Sequence, residues 1–337
     1  MTTITAGVRF RDQAITFANG AKGRVIEVPS ASPRNYHQAI SAPSEMPRIT
    51  IDGQLFLPSG VSGAARLPLV IVVPGSLGVA PVHLTHAETL TSAGLAAFVL
   101  DPFGARGVTS TVSNQTQYSF AASAYDVLAA WQVLAQVPEV EAARIGAQGH
   151  SRGGAAVLTA ATRRFADAVV GRGRGLSAVL GAYPWSGHQF LDPSVGPTRI
   201  RVLMGDRDEW CSLQQVQGHL QAMRLAGGSV SLRVFSGAAH SFDRGTAVVR
   251  IDDAAVAPGA PTTYLADDGS CIHPIAGQGD PTLTDRDVAV YGLKAGYGVR
   301  GASLGGTAAE AADFRDDMRA FWTAALEPHE PRRAGIP

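Results

Sequence analysis

The apolar residues of this chain gather in short, mainly apolar runs, with stretches of helical periodicity between them. Residues 67–75, 94–101, 143–148, 176–183, 200–205 and 229–235 are such runs, most of them ending in a glycine or another turn residue. Apolar runs of this length predict strands buried on both faces. Residues 48–58 alternate apolar and polar positions instead, which predicts a half-exposed strand, antiparallel and near a sheet edge. Helical spacing appears over 83–93, 119–137 and 214–226. The second of these carries Phe120, Ala124, Val127, Leu128, Trp131 and Leu134 on one stripe and ends at Pro138. Gly227 and Gly228 stop the third. A last helix opens with a capping box, Thr307 and Glu310, and packs a stripe of Phe314, Met318, Phe321, Trp322 and Leu326 on the core. Strands alternating with helices predict an α/β fold with a mostly parallel central sheet and helices on both faces. Ligands of such sheets bind at the carboxyl ends of the strands.

The 337 residues show no break in composition, so one α/β domain is expected over 46–337. Residues 1–45, with prolines at 29, 33 and 43, read as an extended N-terminal arm with little helix. Two segments exceed a minimal α/β domain. Residues 103–118 are rich in Ser, Thr, Asn and Gln, and an insertion occupies about 245–306. Within the insertion, Asp267, Asp268 and Gly269 predict a hairpin turn. Its position suggests that it covers part of the site or forms a subunit contact. The link 186–199 is too short for a large helical cap.

Charge excludes some partners. The 28 basic residues balance the 28 acidic ones, so neither nucleic acid nor an anionic membrane surface is expected. No apolar run reaches the length of a membrane span, and residues 1–9 lack an apolar signal core. Cys211 and Cys271 are too few for a disulfide framework, and whether they pair is open. A cytoplasmic protein acting on a small molecule is expected, with homo-oligomerisation left open.

Gly149, His150, Ser151, Arg152 and Gly153 spell G-x-S-x-G between a strand and a helix. That context is a nucleophile elbow: a tight turn that projects the serine hydroxyl and aims the N–H groups of a new helix at it. The same pentapeptide also fits a glycine-rich turn whose serine only caps the helix. A catalytic serine needs a base, usually a histidine held by a carboxylate. In this sheet type the acid and then the histidine follow the serine, each after a strand end. Asp206, Asp208 and Glu209 follow the fifth run, and His240 follows the sixth.

The chain resembles the dienelactone hydrolase-like branch of the α/β-hydrolase superfamily. The resemblance rests on residues 149–154, on Gly205 with Asp208, and on Gly237 with His240 and Phe242; it covers about 50–245 and the terminal helix. It implies an α/β-hydrolase fold and a triad of nucleophile Ser151, base His240 and acid Asp208. Asp206 is then the rival acid, suited to bonding loop N–H groups. The namesake enzymes carry cysteine where this chain has Ser151, so the dienelactone substrate does not carry over. The oxyanion hole would take one N–H from Arg152 and one from the loop after the first buried run, with Leu77 favoured and Ser76 next.

This reading makes the chain a carboxylic ester hydrolase that works through an acyl-enzyme, needing neither metal nor cofactor. An amidase or peptidase would use the same triad, and a non-catalytic hydrolase-like binding protein is the alternative of another class. Trp185, Trp210 and His150 are candidates to line a substrate pocket. The Arg152 side chain could meet a substrate carboxylate or pair with a nearby acid. His83, His86 and Glu88 have a spacing that could serve a metal, but no matching second pair exists in the sequence.

Overall fold

The computed structural model describes residues 4–5, 7–60, 66–272 and 277–327. The chain begins with β1 (Gly23–Ala31), α1 (Tyr36–Ser41), β2 (Arg48–Phe56), β3 (Leu67–Val73), α2 (Pro81–Ser92) and β4 (Ala96–Asp101). It continues through α3 (Phe120–Leu134), β5 (Val140–His150), α4 (Arg152–Ala161), α5 (Arg163–Val170), β6 (Ala178–Ala182) and β7 (His188–Phe190). Then come β8 (Arg199–Gly205), α6 (Leu213–Leu225), β9 (Val230–Phe235) and β10 (Val249–Val256). The last elements are β11 (Thr263–Leu265), β12 (Cys271–Ile272), β13 (Gly279–Asp280), α7 (Asp285–Lys294), β14 (Val299–Leu304) and α8 (Ala308–Ala325).

Eight strands form the central sheet in the order β1-β2-β4-β3-β5-β6-β8-β9. The β1–β2 and β2–β4 pairs are antiparallel and all others parallel. The inner strands are covered on both faces: Val70, Ile71 and Val72 of β3 and Phe98, Val99 and Leu100 of β4 are wholly buried. Each such side chain contributes about 1.5–3 kcal/mol. This is an α/β-hydrolase fold. Helix α2 packs with α8, and α3 packs with α4 and α5.

The terminal helix is held by its expected stripe, since Phe314, Met318 and Trp322 are fully buried. Its capping box forms, with the Thr307 hydroxyl accepting from the Glu310 N–H. Trp322 packs over Gly146 of β5, where any Cβ would strike the indole ring. Its Nε1 donates to Gln148 Oε1 at 2.9 Å, so α8 is bonded to the strand that carries Ser151.

The segment read as an arm is in part a strand. β1 pairs with β2 over nine residues, from Gly23 opposite Phe56 to Ala31 opposite Arg48. Pro29 is compatible with that role because an edge strand need not donate from every N–H. β2 is therefore the second strand, near the edge as expected, but its residues from Ile51 onward are buried rather than half-exposed.

The insertion builds two small sheets. β10 and β14 form an antiparallel ribbon, and β7, β11, β12 and β13 form the other sheet. β11 and β12 are the arms of a hairpin whose turn holds Gly269 at φ 82°. Among the described residues no helix is long and apolar enough to cross a membrane.

Candidate active site

Ser151 stands alone between the end of β5 and the start of α4, with φ 55° and ψ −113°. A non-glycine residue in that region costs about 1–3 kcal/mol and persists only where its surroundings enforce it. Here the Ser151 N–H donates to Ala182 O at 2.9 Å, and its carbonyl accepts from the Ala155 N–H at 3.0 Å. Strand and helix meet so closely that a Cβ on Gly149 would run into the Gly153 carbonyl. Glycine at position 149 is thus a steric requirement of the turn.

Asp208 lies past the end of β8 with its side chain only 1% exposed. Its Oδ1 accepts from the N–H groups of Trp210 at 2.8 Å and Cys211 at 2.9 Å. Its Oδ2 lies 2.7 Å from His240 Nδ1, and His240 Nε2 lies 3.0 Å from Ser151 Oγ. A carboxylate on Nδ1 selects the tautomer that donates there and leaves Nε2 free to accept the serine proton. The imidazole is held by Trp210, stacked at 5.3 Å and 19°, and by the edge of Tyr183 at 4.7 Å. The rival acids are engaged elsewhere. Asp206 accepts from the Gly237 N–H at 2.7 Å, the turn role expected of it, and Glu209 accepts from the Ser303 N–H at 2.7 Å.

The loop after β3 turns tightly, with the Gly78 N–H donating to Gly75 O at 3.0 Å. The Ser76 carbonyl accepts from the Thr111 N–H at 2.8 Å and from Ser110 Oγ at 3.2 Å. In a trans peptide C=O and N–H point in opposite directions. The Leu77 N–H therefore points away from residues 110–111. The Arg152 N–H is the first of α4, one of the donors that a helix leaves unpaired. Its side chain faces the other way. The guanidinium is buried, donates to Gln115 O at 2.8 Å and Tyr118 O at 2.6 Å, and stacks on Tyr118 and Phe120. Its donors are spent on the 103–118 loop and on Ser123 Oγ of α3 rather than on an anionic ligand.

A small, partly open cavity adjoins Ser151 and His240. Leu77, Trp210 and His150 line it, together with Val112, Tyr183 and Leu304. Trp185 is not among its lining residues; the indole stacks on Phe120 at 4.2 Å. His150 turns its ring inward between His83 and His86. Burial pushes its pKa down to about 4, and the nearby Asp243 only partly opposes that, so the ring is neutral. Several residues here carried no sequence signal. Arg244, four positions after His240, also lines the cavity, and its Nε is buried without a hydrogen-bond partner. Leu304 arrives from the far end of the insertion.

Beneath the elbow, Asp243 is wholly buried and accepts from Tyr183 Oη and His86 Nε2, both at 2.8 Å. Burial alone would raise its pKa, but the hydrogen bonds from His86 and Tyr183 hold it well below the carboxylate range. Ligand atoms of His86, His150 and Asp243 lie within 4.8 Å of one another. The two imidazoles are nearly parallel, however, at 14° and 5.2 Å, so their nitrogen lone pairs do not converge on one point. The His83, His86 and Glu88 trio disperses: His83 Nδ1 accepts from the Ala80 N–H and Glu88 accepts from the Ala18 N–H. Asp208, Cys211 and His240 also cluster, but the carboxylate and imidazole are committed to each other. Cys211 and Cys271 are both free thiols.

The model of the dienelactone hydrolase family matches residues 51–260, from β2 to just past β10. Among solved structures, the chain is similar to a dienelactone hydrolase-like promiscuous phosphotriesterase from metagenomic libraries. The identity is 15%, over 91% of this chain and 100% of that one, with a TM-score of 0.53. It is similar also to the protein designated m3DLH, at 19% identity over 66% of this chain and 85% of that one, with a TM-score of 0.51. At such identities the likeness is one of fold. None of the curated proteins matches the chain.

Proposed function

The chain belongs to the dienelactone hydrolase family, and we propose that within it the protein is a serine hydrolase of carboxylic esters. The observation that carries this reading is the continuous relay from Asp208 Oδ2 through His240 to Ser151 Oγ, at 2.7 and 3.0 Å. His240 Nε2 takes the hydroxyl proton as Oγ attacks the ester carbonyl. The oxyanion that forms is met by the N–H groups of Leu77 and Arg152. His240 then protonates the departing alcohol and leaves an acyl-enzyme on Ser151. Water deprotonated by the same Nε2 releases the acid. Asp208 stays ionised throughout and stabilises the imidazolium.

The test is turnover of a p-nitrophenyl ester series, acetate to octanoate, by the wild type and Ser151→Ala. Loss of about 10³-fold or more in kcat/KM with folding intact supports the reading. Equal turnover by the two proteins overturns it. An aryl amide series run beside it separates an esterase from an amidase.

A further inference from the structure

The polar loop 103–118 lies outside the triad, yet it holds both residues whose N–H groups would bind the oxyanion. Gln115 is the junction. Its side-chain Oε1 lies 3.0 Å from Ser76 Oγ, 3.2 Å from Thr111 Oγ1 and 3.4 Å from Arg152 Nη1, and each of those groups donates to it. Its backbone carbonyl accepts a stronger bond from Arg152 Nη1, at 2.8 Å. The neighbouring Thr111 N–H and Ser110 Oγ take the Ser76 carbonyl, and that peptide unit ends in the Leu77 N–H. The β3 loop and the first residue of α4 follow neighbouring strands, β3 and β5, but lie far apart in the chain. One carboxamide spans them.

We infer that Gln115 is a positioning residue for the oxyanion hole, setting the separation of the Leu77 and Arg152 N–H groups through Ser76 and the Arg152 guanidinium. The inference rests on the serine hydrolase reading. Donors aimed at a developing oxyanion act only when they are already in place, and small displacements cost rate rather than ground-state binding. The side chain works here through its oxygen, so a carboxylate of the same length keeps all three contacts and faces the Arg152 cation.

The experiment compares Gln115→Ala, Gln115→Glu and Ser76→Ala with the wild type, on p-nitrophenyl acetate and on a trifluoromethyl ketone that forms a tetrahedral adduct with the serine. Gln115→Ala is expected to lower kcat about 10- to 100-fold with KM little changed, and to weaken the ketone in the same proportion. Gln115→Glu is expected to recover to within a few-fold of wild type. Ser76→Ala, which keeps its backbone N–H, is expected to lower kcat less, and to lose nothing further when combined with Gln115→Ala. Ser76→Ala carries the test if Gln115→Ala is too unstable to assay, because it removes the Gln115 contact by deleting a single hydroxyl, and an unchanged kcat and ketone affinity in it then overturn the inference. An unchanged kcat in Gln115→Ala overturns the inference. So does a fall in kcat without a matching loss of ketone affinity, or Gln115→Glu as slow as the alanine variant. Turnover retained in Ser151→Ala removes the underlying reading. A dead Ser151→Ala beside a fully active Gln115→Ala removes this inference alone.

Discussion

His240 pairs with Leu304 across a parallel β-bridge, and the Gly305 N–H donates to the His240 carbonyl at 2.8 Å. The proposed base is therefore clamped from behind by the last strand of the insertion. Trp210, which stacks on the same imidazole, is tied to this strand by Nε1 donating to Ser303 O at 2.8 Å. The insertion thus reaches the site through β14, and the Leu304 side chain closes one side of the cavity. Leu304→Ala is expected to move the optimum of the p-nitrophenyl ester series toward longer acyl chains and to raise KM for the acetate. An unchanged chain-length profile would remove Leu304 from the acyl-binding wall.

Asp208 and Asp206 sit two residues apart and do different work. Replacing Asp208 by Asn puts a neutral amide on His240 Nδ1 and disfavours the tautomer that accepts the serine proton. kcat should fall by about 10³- to 10⁴-fold. Asp206→Asn keeps an acceptor for the Gly237 N–H and should stay within a few-fold of wild type. Steady-state kinetics on both variants checks the assignment, and the reverse ranking sinks it.

The thiol beside the triad is expected to be inert. Burial, with the Asp208 charge, pushes the Cys211 pKa well above its ordinary value, and burial pushes Cys271 up to about 12. Reactivity belongs to the thiolate. Native protein should therefore react with a thiol-specific disulfide reagent at least about 100-fold more slowly than unfolded protein. A fluorophosphonate should still label it stoichiometrically. Rapid loss of activity to the thiol reagent would contradict this.

Stability should fall as the solution is acidified below neutrality. Burial lowers the pKa of His219 to about 4, with the residue only 5% exposed. The unfolded chain, with a pKa of about 6.5, takes up the proton first as pH drops. The contribution is therefore complete above pH 6.5 and lost progressively between about 6.5 and 4. Its size is about 3 kcal/mol at about 1.4 kcal/mol per unit. His150 shifts in the same direction. His219→Gln should show a shallower decline of Tm over this window, whatever its stability at pH 8. An unaltered slope would mean that His219 does not stay neutral in the folded state.

Unbroken apolar runs at 67–75 and 94–101 announced parallel strands because a strand covered on both faces has no polar side to alternate with. The elbow was legible for a related reason. A serine held at positive φ between a strand and a helix requires glycine at fixed offsets, and Gly149 and Gly153 are those offsets written in the chain. The order of serine, aspartate and histidine follows from strand connectivity. Residues 23–31 were harder to read, because Pro29 and the prolines that follow at 33 and 43 suggested an arm and edge pairing leaves only a weak alternation. The choice of Asp208 over Asp206 needed a family pattern, and distances of 2.7 Å to His240 and 2.7 Å to the Gly237 N–H then set the two apart. What no local pattern could hold are contacts between distant segments. Leu304 on the cavity wall, Gln115 between Ser76 and Arg152, and the inward turn of His150 toward Asp243 depend on where loops of unrelated sequence meet. Periodicity records which face of an element is buried. Only the folded chain decides what that face is buried against.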